Sequence, residues 1–238
     1  MKDTLVDDVI LITGASVGIG RATAIRFAKE KCKIIITYNT NEEAAWETAE
    51  QCQIEGSSGS IVLHLNTMDD FSIRKAMADI IKDMGHIDTL VNNAGVIERK
   101  SIEEHTFEDI EHQLRTNLEG TIKLTQSVLP HLRSTIINVG SVTSLRGYPT
   151  LGVYAASKGG LASFSRTLAE EISPRKVYNI LPRTTSTQMT NFYGDPPELV
   201  AETIVMLAYG SHSLPSGSDV SVGEPSLIWD QTLTYATR

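Results

Sequence analysis

The chain has 238 residues, 41% of them hydrophobic, and a formal net charge of -8 at pH 7. This length suits a single α/β domain, and the acidic balance argues against nucleic acid or an anionic membrane surface as a partner. No apolar run is as long as a membrane span and no signal-peptide pattern opens the sequence, so we expect a cytoplasmic protein. Cys32, Cys52 and the six histidines form no metal-ligand spacing, and we expect no metal site.

Short apolar runs alternate with amphipathic segments along the whole chain. Continuous apolar runs this short predict strands buried on both faces, as in a parallel sheet. The predicted strands are residues 9–12, 33–37, 61–65, 89–92, 135–139, 177–181 and 219–222. The predicted helices are residues 21–30, 41–53, 69–84, 106–132, 153–172 and 197–209. This alternation predicts one doubly wound parallel sheet over residues 1–238, with ligands bound beyond the carboxyl ends of the strands.

Capping residues support several of these boundaries. Either Asp69 or Asp70 caps the third helix, and Gly85 ends it. Thr106 and Asp109 have the spacing of a capping box at the start of the fourth helix.

A glycine-rich stretch, residues 13–20, joins the first strand to the first helix. Gly14 lets the chain turn sharply out of the strand, and Gly18 has no Cβ, so its backbone can approach a pyrophosphate closely. Gly20 lets the helix pack against the sheet, and the free N–H groups at the helix start suit an anionic ligand. On its own the stretch is also compatible with a purely structural turn.

Tyr154 and Lys158 are spaced i, i+4, which places both on one face of a helix. A tyrosine with its ordinary pKa of about 10 is a poor base at neutral pH, and a nearby ammonium is expected to lower that pKa. Ser141 follows the fifth predicted strand and can offer a hydroxyl to the same substrate oxygen. Asn117 is a polar residue between apolar neighbours of the long fourth helix. The Tyr-Lys spacing alone is also compatible with an exposed helix pair.

Taken together, these motifs resemble the short-chain dehydrogenase/reductase family. The resemblance rests on residues 13–20, residues 92–95 (Asn-Asn-Ala-Gly), and the order and spacing of the four residues Asn117, Ser141, Tyr154 and Lys158. It is clear over residues 9–181 and looser over the remainder, and it implies an NAD(P)-binding Rossmann fold. It also implies that hydride passes between a nicotinamide cofactor and a substrate carbon.

The resemblance implies a role for each of the four residues. Tyr154 donates a proton to the carbonyl oxygen in reduction or removes one in oxidation, and Ser141 polarises that carbonyl. Lys158 holds the nicotinamide ribose and lowers the tyrosine pKa, and Asn117 holds a water that links Lys158 to a proton relay.

The resemblance also implies a set of residues that contact the cofactor. They are Gly14, Ser16, Gly18, Ile19, Gly20, Tyr38, Asn39, Thr40, Asn66, Thr67, Asn93, Ala94, Gly95, Tyr154, Lys158, Pro182, Thr185 and Thr187. Residues 93–95 are expected to be partly architectural. The adenine-contacting aspartate of the family is replaced by Asn66, whose amide oxygen can still accept a hydrogen bond.

The residues after the second strand favour NADP(H) over NAD(H) as the cofactor. An acidic side chain there would bind the ribose 2′-hydroxyl of NAD and repel a 2′-phosphate, but the chain has Tyr38, Asn39 and Thr40. Val17 points the other way, because many NADP-using relatives carry arginine at its position. NAD(H) therefore stays open.

Two departures from the family pattern concern the substrate side. Pro182-Arg183 replaces the usual Pro-Gly, so Arg183 carries strain if its φ is positive; its side chain could also reach a substrate carboxylate or phosphate. The segment that covers the substrate in the family is shortened here to residues 190–196.

The sequence thus predicts an NAD(P)(H)-dependent oxidoreductase that interconverts a ketone and a secondary alcohol. The resemblance extends to the 3-oxoacyl-[acyl-carrier-protein] reductases, although no basic run for an acidic carrier protein is present. One alternative is an NAD-linked sugar or alcohol dehydrogenase, and another is a non-catalytic, cofactor-sensing binding protein. The resemblance further implies a homo-oligomer, a tetramer or a dimer, built on the helices that carry Thr106 and Tyr154.

Overall fold

The computed structural model describes residues 4–210 and 212–222 of the chain. Its strands are β1 (Val9–Ile12), β2 (Lys33–Tyr38), β3 (Gly59–His64), β4 (Ile87–Asn92), β5 (Leu132–Val139), β6 (Lys176–Leu181) and β7 (Asp219–Ser221). They form one parallel sheet in the spatial order β3-β2-β1-β4-β5-β6-β7. The predicted doubly wound sheet is therefore confirmed.

Helices cover both faces of this sheet. They are α1 (Gly18–Lys29), α2 (Glu42–Ile54), α3 (Asp70–Met84), α4 (Phe107–Leu114), α5 (Gly120–Val128), α6 (Gly152–Glu171) and α7 (Pro197–Tyr209). Helices α1, α2 and α7 share one apolar cluster with Ile10 and Ile12 of β1, whereas α3, α5 and α6 share the other with Val9 and Leu11. Successive β1 residues thus enter opposite layers, which explains why the strand is apolar throughout.

The predicted helix caps are found in the structure. The side chain of Asp69, rather than that of Asp70, accepts a hydrogen bond from a backbone N–H in the first turn of α3. Gly85 ends α3 with a φ of 76°. Thr106 and Asp109 form the capping box of α4, each side chain accepting from the other's backbone N–H.

The long helix predicted over residues 106–132 is wrong in detail. The chain forms α4, a π-helical turn at Arg115–Glu119, then α5, and a 3-10 turn at Leu129–His131 before β5 begins at Leu132. A π turn admits one extra residue and is common at functional sites. Here it contains Asn117, whose side chain is engaged by backbone outside the helix.

The remaining differences are at the ends of elements. Helix α1 begins at Gly18 rather than at residue 21, and α6 begins at Gly152. β3 begins at Gly59 and ends at His64, because residues 59 and 60 of the expected loop pair with β2 at the sheet edge. β4 and β5 begin earlier than predicted, and Val222 lies just after β7. The predicted domain span of 1–238 extends beyond the described residues at both ends.

The sheet order determines where a ligand can bind. β1 lies between β2 and β4, so the chain changes direction across the sheet after β3. In open parallel sheets such a switch point leaves a crevice outside the carboxyl ends of the strands. Within the described part of the chain, no helix has the length and apolar character needed to cross a membrane.

Candidate active site

A cleft lies along the carboxyl ends of the strands and consists of two cavities. The first, the glycine-loop cavity, has a volume of about 470 Å³, and the second, the tyrosine cavity, has a volume of about 400 Å³. Both are lined by Ile19, Gly95, Thr187 and Met189, so they are continuous. The cleft can therefore hold one elongated ligand or two ligands in contact.

The glycine-rich stretch forms a tight turn between β1 and α1. Gly14 and Gly18 have φ values of 62° and 57°, in the left-handed region that favours glycine. The start of α1 has no side-chain cap and no acidic residue in its first turn. Its first N–H groups therefore stay available to an anionic ligand in the adjoining cavity.

Asn93 fixes this turn from the end of β4. Its side-chain amide donates to the carbonyl oxygens of Thr13 at 2.8 Å and Gly14 at 3.0 Å. In return, the Thr13 hydroxyl accepts from the backbone N–H groups of Asn93 at 2.8 Å and Ala94 at 2.9 Å. The architectural part expected of residues 93–95 is thus visible in these contacts.

Most of the residues predicted to contact a cofactor line the glycine-loop cavity. They are Gly14, Ser16, Gly18, Ile19, Asn39, Thr40, Asn66, Thr67, Asn93, Ala94, Gly95 and Thr187. Tyr38 does not, because its ring packs edge-on against His64 and its hydroxyl is bonded to Glu42. Gly20 lies beneath the turn, where a Cβ would meet Ala15 and Asn93. The tyrosine cavity receives the other predicted residues: Ser141, Tyr154, Lys158, Pro182 and Thr185.

The glycine-loop cavity is nearly uncharged. Of the described residues that line it, only His112 has a titratable side chain. Asn66 lies in this lining, and its amide oxygen already accepts from the Met68 N–H at 3.0 Å. That oxygen keeps one lone pair for a ligand donor.

Tyr154 and Ser141 meet in the tyrosine cavity through a hydrogen bond between their side chains. Burial raises the pKa of Tyr154, and the bond to Ser141 and the charge of Arg99 lower it by less. The net shift is upward, so the expectation of a lowered tyrosine pKa is wrong. Tyr154 is therefore a protonated phenol at neutral pH.

Lys158 is buried beside this pair and donates to the Val139 carbonyl oxygen at 2.7 Å. Its ammonium lies 5.8 Å from the centre of the Tyr154 ring. Burial lowers the pKa of Lys158 to about 8, because a cation loses solvation there and gains no carboxylate partner among the described residues. Two of its three donors stay available to a ligand.

Asn117 lines neither cavity but supports both. Its side chain accepts from the Val96 N–H and donates to the Val96 carbonyl oxygen, each at 2.8 Å, and also donates to the Ser157 hydroxyl at 3.2 Å. These bonds hold the segment after β4 against α6. A Cβ on Gly95 would lie 3.2 Å from the Asn117 amide oxygen, so Asn117 packs directly behind the cleft wall.

Arg183 adopts ordinary backbone geometry. Five non-glycine residues of the described chain have positive φ, and Arg183 is not one of them. The strain considered for Pro182-Arg183 is therefore absent. The Arg183 side chain is 65% exposed, lines the tyrosine cavity and donates to Asp195 at 3.3 Å.

Several lining residues were not predicted from the sequence. In the tyrosine cavity they include Ile97, Arg99, Val142, Arg146, Tyr148, Leu151 and Met189, and in the glycine-loop cavity Met68, His112, Thr116 and Gln188. Arg99 and Arg146 follow β4 and β5 by a few residues. Their position after the carboxyl ends of two central strands was the signal available in the sequence.

Comparison with known protein families identifies relatives of this chain. A family model described as short chain dehydrogenase matches residues 8–197. General stress protein 39 of Bacillus subtilis is 36% identical over 173 residues, which are 71% of this chain and 60% of that protein. The 3-oxoacyl-[acyl-carrier-protein] reductase FabG of Thermotoga maritima is 30% identical over 236 residues, which are 90% of this chain and 95% of that protein.

Solved structures show the same architecture. A dehydrogenase/reductase from Sinorhizobium meliloti superposes with a TM-score of 0.86 at 25% identity, over 92% of this chain and 94% of that chain. A short chain dehydrogenase from Burkholderia cenocepacia, crystallised in complex with NADP, superposes with a TM-score of 0.85 at 26% identity, over 92% and 98% of the two chains.

Proposed function

Because the chain belongs to the short-chain dehydrogenase/reductase family of NAD(P)-dependent oxidoreductases, we propose that it interconverts a ketone and a secondary alcohol. The observation that carries this proposal is the hydrogen-bonded pair Tyr154 and Ser141 in the tyrosine cavity, with the buried ammonium of Lys158 behind it. In the reductive direction, a protonated tyrosine can donate its proton at neutral pH.

The residues of the cleft fit a nicotinamide dinucleotide. Positive φ at Gly14 and Gly18 exposes backbone N–H groups, and the uncapped start of α1 favours a pyrophosphate there. We infer that Asn66 and Thr67 contact the adenine end and that Lys158 donates to the nicotinamide ribose. When bound, the cofactor supplies or accepts the hydride.

The side chains of the tyrosine cavity supply the proton and the polarisation. We propose that a substrate carbonyl oxygen takes the place between the Ser141 and Tyr154 hydroxyls, accepting a hydrogen bond from each. As negative charge develops on that oxygen, the Tyr154 proton is transferred to it, and the positive charge of Lys158 stabilises the phenolate that forms. Asn117 acts as a positioning residue, since it holds residue 96 and α6 in register behind the site.

The variant Tyr154→Phe tests this assignment. We expect turnover of a panel of ketones to fall by at least about 100-fold, the usual contribution of general acid catalysis, while cofactor binding persists. Tyr209→Phe is the matched control, because Tyr209 ends α7 and lines neither cavity. Substantial turnover by Tyr154→Phe would overturn the mechanism. Binding without any turnover in the wild-type protein would favour the cofactor-sensing alternative.

We also propose NADP(H) as the preferred cofactor. Asn39 and Thr40 line the glycine-loop cavity after β2, and no carboxylate among the described lining residues opposes a 2′-phosphate. Parallel fluorescence titrations with NADPH and NADH test the preference. Tighter binding of NADH would reject it and favour a sugar or alcohol dehydrogenase.

Two narrower proposals accompany this function. The substrate class considered first is a 3-oxoacyl thioester, supported by the near full-length match to the Thermotoga maritima reductase. The segment at 190–196 is proposed to be a shortened substrate lid. It follows the 3-10 turn Gln188–Thr190 and is closed by a bridge between Thr185 and Asp195.

We further propose a cytoplasmic homo-oligomer, either a tetramer or a dimer. Both cysteines are free thiols buried in the core, which suits a reducing compartment. Phe107 of α4 is 86% exposed and Ile122 of α5 is 37% exposed, so this side of the molecule offers apolar surface for a second copy. Sedimentation analysis of the purified protein tests the assembly, and a monomer would reject it.

A further inference from the structure

Three arginines that are far apart in the sequence line the tyrosine cavity. Arg99 follows β4, Arg146 follows β5 and Arg183 follows β6, so each is carried by a different loop at the carboxyl edge of the sheet. With Lys158 they make four cationic side chains around one cavity of about 400 Å³. This concentration contrasts with the net charge of -8 for the whole chain.

These cations have no acidic partner in the cavity wall. None of the described residues that line the cavity is an aspartate or a glutamate. Arg183 donates to Asp195, which lies outside the lining, but this contact is long at 3.3 Å and both side chains are exposed. For Arg99 and Arg146 the described chain provides no ion pair with an acidic residue. The cavity therefore presents a net positive field to whatever enters it.

Neighbouring groups orient two of the arginines. The Arg146 guanidinium donates from Nε to the Tyr148 hydroxyl at 2.6 Å and lies 5.4 Å from the centre of the same ring. Its remaining N–H groups stay free for a planar anion, which guanidinium groups bind through two parallel hydrogen bonds. Arg99 lies close enough to the reacting centre for its charge to lower the pKa of Tyr154.

The cavity wall is also partly apolar. Ile97, Val142, Leu151 and Met189 line the same cavity as Ser141 and Tyr154. One cavity therefore combines the reacting hydroxyls, apolar side chains and three guanidinium groups. This combination suits a molecule that carries a ketone, an aliphatic portion and an anion.

We infer that the physiological substrate is a ketone that carries an anionic group, a carboxylate or a phosphate, recognised by Arg99, Arg146 and Arg183. This inference rests on the proposed ketone reduction and adds the substrate class to it. The arginines are specificity-determining residues, because they bind a part of the substrate that does not react.

The test compares matched pairs of neutral and charged ketones. The probes are 4-oxopentanoate and 5-oxohexanoate, each beside its methyl ester, and acetoacetyl-coenzyme A as the phosphate-bearing thioester. With NADPH present, we expect an acid to have a KM about tenfold below that of its ester, the factor that one charge-assisted hydrogen bond in a partly exposed site provides. The preference should weaken as salt rises from 0.05 to 0.5 M, since exposed charges are screened.

The variants Arg146→Gln and Arg183→Gln connect the preference to these side chains. Each should reduce the preference for the acid, measured as the ratio of kcat/KM for the acid to that for the ester, severalfold and mainly through the KM of the acid. The double variant should reduce this ratio further, to the part that Arg99 alone provides. Arg133→Gln is the matched control, because Arg133 is exposed at the amino end of β5, whereas the cavity lies at the carboxyl ends of the strands. It should leave the ratio at its wild-type value.

The outcomes distinguish a carboxylate from a phosphate as the anion. They also distinguish failure of this inference from failure of the proposed ketone reduction. A salt-sensitive preference confined to acetoacetyl-coenzyme A and lost in the same variants supports the inference with phosphate as the anion. Equal KM values for acid and ester, with no thioester preference, overturn the inference while ester turnover sustains the proposed reaction. If no ketone is reduced, calorimetric titration of 4-oxopentanoate against its methyl ester decides independently. Acid binding that depends on Arg146 supports the inference, and equal or absent binding rejects it.

Discussion

Gly20 is the position where one added methyl group should damage both the fold and the cofactor site. A Cβ there would lie 2.6 Å from the Asn93 side-chain nitrogen, 2.9 Å from the Ala15 Cα, and closer still to the Gly14 carbonyl oxygen. None of these atoms can move away cheaply, since two belong to the backbone of the turn and Asn93 is fixed by its bonds to the turn. Overpacking of this kind costs about 1–3 kcal/mol.

For Gly20→Ala this cost exceeds the gain in helix propensity, which is about 1 kcal/mol at most. We expect a net loss of about 1 kcal/mol in the free energy of unfolding, or a fall of about 2–4 °C in Tm for a domain of this size. NADPH affinity should fall as well, because the turn must shift. Differential scanning calorimetry and a fluorescence titration measure the two effects.

Gly159→Ala provides the matched control in another helix. Gly159 lies inside α6, and a Cβ there would meet nothing within 4 Å. The same substitution should therefore raise stability by about 0.5–1 kcal/mol through reduced backbone freedom. If Gly20→Ala were as stable as Gly159→Ala, the steric argument for the glycine-rich turn would be refuted.

Three further predictions follow from single contacts. Lys158→Met should stabilise the ligand-free protein at pH 7 by on the order of 3 kcal/mol, because burial lowers the pKa of Lys158 from 10.5 to about 8. Between pH 8 and 10.5 the folded state binds fewer protons than the unfolded state, so the wild type gains stability as pH rises through this range. The difference in Tm between the wild type and Lys158→Met should therefore close, and a constant difference would contradict this prediction. Asn117→Ala leaves the Val96 N–H and carbonyl without partners and should cost about 2 kcal/mol in thermal unfolding, whereas an unchanged Tm would show that water replaces the amide fully. Val17→Arg places a guanidinium in the glycine-loop cavity near Asn39 and should raise the ratio of NADPH to NADH affinity about tenfold; an unaltered ratio would show that the 2′-phosphate binds elsewhere.

The sequence predicted the layers of the fold because hydrophobic periodicity records which faces are buried. β1 and β2 are apolar at consecutive positions, and this pattern arises only where both faces are covered. Side-chain caps such as Thr106 and Asp109 were equally readable, since the bonds that they form are local in the chain. The strand ends were less accurate, because pairing with a neighbouring strand decides them, as at Gly59.

Three features of the site depended on contacts that local sequence does not encode. The π turn around Asn117 exists because its side chain bonds to residue 96, which is distant along the chain. The raised pKa of Tyr154 reflects burial, which the i, i+4 spacing with Lys158 does not report. The arginines appeared scattered because they come from three loops, and only the sheet order brings them to one cavity.

The arginines and the tyrosine are electrostatically coupled, and this coupling predicts how pH acts on different substrates. The charge of Arg99 favours the phenolate and lowers the pKa of Tyr154, against the larger effect of burial. An anionic substrate beside Arg99 would offset that charge, so the tyrosine would hold its proton to higher pH. In the reductive direction, the high-pH limb of kcat should therefore lie higher for 4-oxopentanoate than for its methyl ester.

Arg99→Gln isolates this effect, because it removes the charge that the substrate would offset. We expect the limb for the ester to move upward in this variant, and the gap between the two limbs to narrow because the anion loses the side chain that holds it beside the tyrosine. Measuring kcat from pH 7 to 11.5 for both substrates gives the comparison. A limb that lies lower for the acid than for the ester would show that the anion does not approach Arg99. Recognition of the charged end would then have to come from Arg146 and Arg183 alone, at a distance from the proton that is transferred.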